Sequence, residues 1–217
     1  MGNKKAVIIL SGGLDSSTCL FMAKKIGYDL YAISFDYGQR HKKELESAKK
    51  ISVYAEVKEH RFVNLPIPKR SALTEDIEIP KDRNLEEMSK EIPITEVAFR
   101  NQLFLTLALQ YAYEIKAEKV FIGVTAIDYS GYPDCRPEFI RAMNELIKIQ
   151  EKDIEIVAPL LQLYKAEIIE WGNELGVPYE KTWSCYQGGE KACGRCDSCK
   201  LRLKGFKEAN LEDKIQY

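Results

Sequence analysis

No stretch of this sequence approaches the ~20 consecutive apolar residues that a membrane-spanning helix needs. Its early apolar run, Ala6–Leu10, is too short for the core of a secretory signal, and Asp15 follows soon after. The opening MGNKKA has no Ser or Thr at the sixth position, which excludes the usual myristoylation pattern. An excess of either charge is also missing: 32 Lys and Arg against 33 Asp and Glu leave a net charge of −1. No global field therefore draws the chain to nucleic acid or an anionic bilayer. Internal repeats and low-complexity tracts are absent. The expectation is a soluble, cytoplasmic chain whose 217 residues form one domain with a buried core and room for an appendage.

What is present is an alternation. KAVIIL (5–10) reads as a buried strand, and 15–26 as a helix stopped by Gly27. DLYAISFDYG reads as a strand ending at Asp36, KKELESAKKISVYA as a helix and HRFVNL as a strand. Residues 64–95 break the rhythm with four prolines and many charges, so a long functional loop or flap is expected there. The alternation then resumes with a helix in FRNQLFLTLALQYAYEI, a strand in KVFIGV and a helix in PEFIRAMNELIKIQ. IEIVAPL is a further strand, and YKAEIIEWGNELG a helix. This pattern predicts an α/β fold, a doubly wound parallel sheet covered on both faces. Its expected extent is 1–180, with 181–217 as a small cysteine-bearing segment packed on the same domain.

Between the first strand and helix stands SGGLDSS. Strand, glycine-rich turn and helix together aim free backbone N–H groups at an anion. Ser11, Ser16 and Ser17 add hydroxyl donors, and Gly12 and Gly13 allow close approach. Asp15 is suited to hold Mg²⁺ or to cap the helix. The lysine of GxxxxGK[ST] is absent, and so is GxGxxG, so transfer of a terminal phosphoryl group is not the first expectation. SGGLDSS resembles the SGGxDS signature of the PP-loop ATP pyrophosphatases. That resemblance implies a grip on the β,γ-pyrophosphate of ATP while a substrate oxygen attacks the α-phosphorus.

Four of the six cysteines crowd the C-terminal segment as C-x7-C-x2-C-x2-C: Cys185, Cys193, Cys196 and Cys199. Four thiolates at this spacing suit a closed, structural zinc site. An iron–sulfur cluster or a redox pair in one CxxC are the alternatives, although the C-P that continues the ferredoxin pattern is missing. Cys19 reads as a core residue.

The segment TAIDYSGYPDCRPEF follows a strand and should emerge at the carboxyl edge of the sheet, where open α/β folds bind ligands. Tyr129 or Tyr132 supplies a face for a planar heterocycle, and Asp128 or Asp134 an acceptor for its N–H groups. Arg136 suits a carboxylate or phosphate.

FDYGQRHKKE, FRNQLFL, GVTAIDYSGYPDCRPEFI, LGVPYEKTWSCY and ACGRCDSCKLRLKGF together resemble the 7-cyano-7-deazaguanine synthase family, almost end to end. The resemblance implies ATP-dependent conversion of 7-carboxy-7-deazaguanine and ammonia to the nitrile, on the route to queuosine or archaeosine. It also implies one zinc on the four cysteines and a homodimer acting on small molecules. Under it the ATP site comprises Leu10, Ser11, Gly12, Gly13, Leu14, Asp15, Ser16, Ser17, Thr18, Cys19 and Leu20. The expected chemistry is two successive adenylations, of the carboxylate and then of the amide oxygen, which place a premium on positioning and electrostatics. Lys165 is the candidate cation near the α-phosphate, with Arg100 and Arg40 behind it, and Asp15 the magnesium ligand. Phe99 stands where the family usually shows a small residue before the Arg-Asn pair. A PP-loop enzyme that thiolates tRNA directly, using iron–sulfur, is the competing reading, as is a cysteine-knuckle nucleic-acid adaptor.

Overall fold

Strand β1 (Lys5–Ile9) is apolar from Ala6 onward because both its faces are covered. Ala6, Ile8 and, just beyond, Leu10 enter one core cluster, while Val7 and Ile9 enter the other. The computed structural model describes residues 4–40, 42–67, 70–89, 92–125 and 131–217. Among these, β1 pairs in parallel with β2 (Asp29–Asp36) and β4 (Lys119–Phe121), β2 with β3 (Glu59–Asn64), and β4 with β5 (Glu155–Val157). The order is β3-β2-β1-β4-β5.

One face is covered by α1 (Leu14–Ile26), α2 (Lys43–Tyr54), α6 (Lys165–Glu174) and α7 (Asp197–Glu208). The other is covered by α4 (Arg100–Ile115) and α5 (Pro137–Ile149). A short helix, α3 (Leu85–Ser89), lies in the segment before α4. The expected doubly wound α/β architecture is therefore present. Its strand order reverses between β1 and β4, so their carboxyl ends open the crevice where such folds place ligands.

Segment 64–95 is more anchored than its prolines suggest. Ala72, Leu73 and Ile79 are buried, and the Ala72 N–H bonds the Ile94 carbonyl at 2.8 Å. Helix α7 was not legible as a helix in the sequence; it starts inside the cysteine cluster, with Cys199 in its first turn.

Phe99, just before α4, holds φ 62 and ψ 9, the left-handed region that suits glycine, and is 78% exposed. A bulky side chain there costs about 1 kcal/mol and packs little in return. Phe99→Gly is expected to raise the melting temperature by about 2 °C; a fall in thermal scans would show that the ring contributes packing after all.

His60 on β3 lies between two hydroxyls, Ser34 Oγ at 2.7 Å and Ser52 Oγ at 2.9 Å, and Ser34 donates in turn to the Leu10 carbonyl. Burial lowers the imidazole pKa from 6.5 to about 4. The unfolded chain then binds a proton that the folded one refuses, so stability is full above pH 6.5 and declines as pH falls toward 4. This single group should cost about 2 kcal/mol over that window. Urea unfolding at pH 7 and pH 4.5 should show that much more loss in the native protein than in His60→Gln, and equal losses would exclude the assignment.

Candidate active site

Leu10 and Ser11 leave β1 at its carboxyl end, Gly12 turns with φ 87, and Gly13 caps α1. Gly12 is required by packing. A Cβ there would lie 2.1 Å from the Glu44 carbonyl and 2.4 Å from the Ala48 nitrogen of α2. Gly123, just after β4, is similarly pressed onto α1, where a Cβ would meet the Ser16 nitrogen at 2.9 Å. β4 ends at Phe121, short of the predicted KVFIGV, although the Ile122 N–H still bonds the Val157 carbonyl at 3.0 Å.

The serines preorganise the turn. Ser16 Oγ accepts the Ser11 N–H at 3.2 Å and meets Ser11 Oγ at 2.9 Å, and Ser17 Oγ donates to the Gly13 carbonyl at 2.7 Å. Thr18 Oγ1 donates to the Leu14 carbonyl at 3.0 Å and meets the Tyr179 hydroxyl at 2.9 Å. Of the eleven residues expected to form the ATP site, Leu10, Ser11, Gly13, Leu14, Asp15 and Ser16 line the cavity at the strand ends. Gly12, Ser17, Thr18, Cys19 and Leu20 support it from behind. Burial first, and Asp15 second, push the Cys19 thiol pKa well up, so this sulfur is inert packing.

The cavity's opposite wall is aromatic. Phe35 and Phe104 stack with centroids 4.1 Å apart, and Tyr37 tilts against Phe104 at 5.6 Å. Burial above all raises the Tyr37 phenol to about 12, against the pull of Arg100, so it is a neutral hydrogen-bonding group. Arg100 is the first residue of α4 and lies 5.8 Å from both the Tyr37 and Phe104 ring centroids. Burial presses its pKa down, but Tyr37, Asp134 and Cys135 outweigh that and hold it above the ordinary value. Its Nε is shielded from solvent and has no hydrogen-bond partner among the described residues.

Lys165, the first residue of α6, donates to both Asp15 oxygens, at 2.7 and 2.8 Å. The pair is largely shielded, with side chains 11% and 25% exposed. The lysine stem rests on α7, where a Cβ on Gly205 would lie 2.6 Å from Lys165 Cγ.

The sulfurs of Cys185, Cys193, Cys196 and Cys199 lie within 4.8 Å of one another. Tetrahedral metal–sulfur bonds of about 2.3 Å give sulfur–sulfur edges of about 3.8 Å, and Cys193 and Cys199 stand 3.9 Å apart. Backbone N–H groups of Cys193 and Gln187 point at Cys185 Sγ, at 3.3 and 3.4 Å, and that of Cys196 at Cys193 Sγ, at 3.3 Å. Hydrogen bonds from Cys196 and Cys199 depress the Cys185 pKa, while Cys185 raises those of its two donors. Such a sulfur set could hold a metal ion, and it is the only such group among the described residues.

This module is tied to the rest of the protein. Arg83 pairs with Asp197, Lys200 donates to the Arg83 carbonyl at 2.6 Å, and fully buried Arg202 joins Asp213, the Thr182 hydroxyl and the Tyr179 carbonyl. The Trp183 backbone N–H donates to the Gly12 carbonyl at 2.9 Å, linking the module directly to the anion loop.

A family model described as queuosine biosynthesis protein QueC matches residues 5–210. The chain belongs to the QueC family. The 7-cyano-7-deazaguanine synthase of Trichodesmium erythraeum (strain IMS101) is 57% identical over 97% of this chain and 99% of its own length. That of Thermoplasma acidophilum is 53% identical over 100% of this chain and 93% of its own. Among solved structures, NMN synthetase from Francisella tularensis aligns with a TM-score of 0.56 at 18% identity, over 97% of this chain and 79% of that one. The likeness to that structure is one of fold.

Placed in this QueC-family chain, the other residues expected to bind substrate have separate surroundings. Tyr132 lines the cavity and shares a 2.8 Å hydrogen bond with Thr95. Asp134 instead takes the Asn101 N–H at 3.1 Å, capping α4. Arg40 holds segment 64–95, donating to the Ile77 carbonyl at 2.7 Å and pairing with Asp76 at 3.2 Å. Arg136 is exposed at the start of α5. Asp128 and Tyr129 lie outside the described residues.

Residues not singled out from the sequence complete the wall: Tyr37, Asn101 and Phe104, with Trp183, Ser184, Tyr186 and Ser198 from the cysteine module. All seven stand in the FDYGQRHKKE, FRNQLFL, TWSCY and ACGRCDSCK blocks already noted as family-like. Those blocks were the available signal.

Proposed function

We propose that the chain is an ATP-dependent 7-cyano-7-deazaguanine synthase, joining 7-carboxy-7-deazaguanine and ammonia through an adenylated acid and then an adenylated amide. The observation that carries this reading is 57% identity to a relative of that name across essentially the whole of both chains. The geometry agrees with it: an anion loop without a P-loop lysine faces an aromatic wall suited to a planar bicyclic base. In this reading Ser11, Gly13 and Ser16, with the amides at the start of α1, hold the pyrophosphate leaving group. Lys165 supplies positive charge near the α-phosphate. Tyr37, Phe104 and Tyr132 enclose the base.

The four-cysteine set is read as a structural zinc site, because four sulfurs leave no open position for chemistry. Residues 181–217 are accordingly a metal-pinned segment of the same domain. Magnesium would arrive with the nucleotide and neutralise charge on the pyrophosphate. The protein offers it the Asp15 carboxylate beside the loop, now paired with Lys165. We place the enzyme in the cytoplasm as a homodimer, acting on free small molecules rather than on nucleic acid.

Incubation with 7-carboxy-7-deazaguanine, ATP and ammonium should yield the nitrile with two AMP and two pyrophosphate per turnover. Production of ADP, or no nitrile under these conditions, would reject the assignment.

A further inference from the structure

Acid, amide and nitrile share one ring and differ in a single substituent: a charged two-oxygen acceptor, a neutral carbonyl and a linear, weakly accepting nitrogen. A site that binds the ring alone cannot tell them apart, and a two-step reaction needs it to. The described residues lining the cavity include two anions, Asp15 and Glu44, and one cation, Arg100. Lys165 already has its carboxylate in Asp15. Arg100, by contrast, has an Nε that is buried without a partner, beside the aromatic wall where a flat ring would lie.

It also stands at the first position of α4, where the helix dipole adds positive potential. Asp134 lies near enough to favour its charge, but its carboxylate is engaged with the Asn101 N–H at 3.1 Å. The site therefore places a guanidinium against the cavity, as the one cation among its described lining residues and with its Nε still unpartnered.

We propose that Arg100 reads the oxidation-neutral change from acid to nitrile at the ring substituent, receiving the carboxylate through its planar fork, holding the amide by a weaker bond and offering the nitrile no charged partner. This rests on the reaction proposed above and deepens it by naming the residue that selects among its three species. Arginine suits the task because its fork matches a carboxylate with two parallel charge-assisted bonds. A nitrile there would leave this already buried guanidinium without the charge-assisted bonds that the carboxylate supplies, which favours the acid over the product. The acid is thereby captured and the finished nitrile released from one pocket without a separate gate.

The experiment is a calorimetric titration of the metal-loaded full chain with the acid, amide and nitrile, with and without α,β-methylene-ATP. The native protein should bind the acid at least about 10-fold more tightly than the nitrile, with the amide between. Arg100→Gln should weaken the acid about 10- to 100-fold and the nitrile less than about 3-fold. Arg100→Lys, which keeps charge without the fork, should recover part of the preference.

Equal binding of acid and nitrile by the native protein, or no ranking in either nucleotide condition, overturns the proposal. So does an Arg100→Gln loss that is uniform across all three ligands or confined to the nucleotide analogue. Should Arg100→Gln fail to fold in a thermal melt, the native series and Arg100→Lys decide. Absence of AMP and nitrile in the turnover assay would reject the reaction while leaving this ranking readable. Turnover with a flat ranking would reject Arg100 alone.

Discussion

Lys165→Met should lower the rate of AMP formation about 100- to 1,000-fold, the scale of losing one preorganised charge at a developing oxyanion. The lysine is held on two sides, by both oxygens of Asp15 and by the close surface of α7 at Gly205. Its removal has a second consequence. Asp15 would face the triphosphate without a counter-charge, so the KM for ATP should rise as kcat falls. The double variant Asp15→Asn/Lys165→Met separates the two effects: nucleotide affinity should return toward the native value while turnover stays low. Strong non-additivity is expected for residues in direct contact. Pyrophosphate release in single-turnover experiments is the readout. A Lys165→Met enzyme within about 5-fold of native would remove the lysine from the chemistry.

Cys199→Ser should abolish metal binding and lower the melting temperature by more than about 10 °C, because apparent zinc binding energies near 10 kcal/mol are folding energies for such sites. The expected damage reaches the active site through structure. Cys199 opens α7, the helix that braces Lys165, and the chain beside Cys185 supplies Trp183, Ser184 and Tyr186 to the cavity wall. AMP formation should therefore fall at least about 100-fold although no cysteine of the set touches a reactant. Metal uptake should also release protons. A thiol binds metal as the thiolate, so any of the four cysteines still protonated must lose its proton to become a ligand. Metal content by elemental analysis, followed by a melt, checks the first claim. A Cys199→Ser protein melting within a few degrees of native would make the site ornamental.

Much of this was legible in the sequence because local pattern and global fold agree. The run Ala6–Leu10 announces a strand buried on both faces, and its residues divide between two cores. SGGLDSS and the cysteine spacing announce their chemistry, since each depends on residues close in sequence. The rest depends on contacts between distant segments. Nothing local pairs Asp15 with Lys165 across 150 positions, or directs Trp183 to the Gly12 carbonyl. Asp134 looks like a base-reading acceptor by composition, yet it caps a helix 33 positions away. Arg40 looks like a free cation beside a strand end, yet backbone carbonyls of the following segment hold it. Helix α7 was hidden because its first turn lies among cysteines and glycine, where metal spacing drowns out helical periodicity.

The crowding at Gly12 and Gly123 has a bearing on how variation in this loop should be read. Both positions are closed to any side chain by the protein's own backbone, with α2 against one and α1 against the other. In a saturation scan scored only for soluble expression, with no nucleotide chemistry selected, Gly12 and Gly123 should behave as strictly as core positions. Ser11, which is exposed and faces the cavity, should tolerate replacement in that scan and fail only when turnover is scored. These two glycines would then record architecture, and Ser11 the reaction.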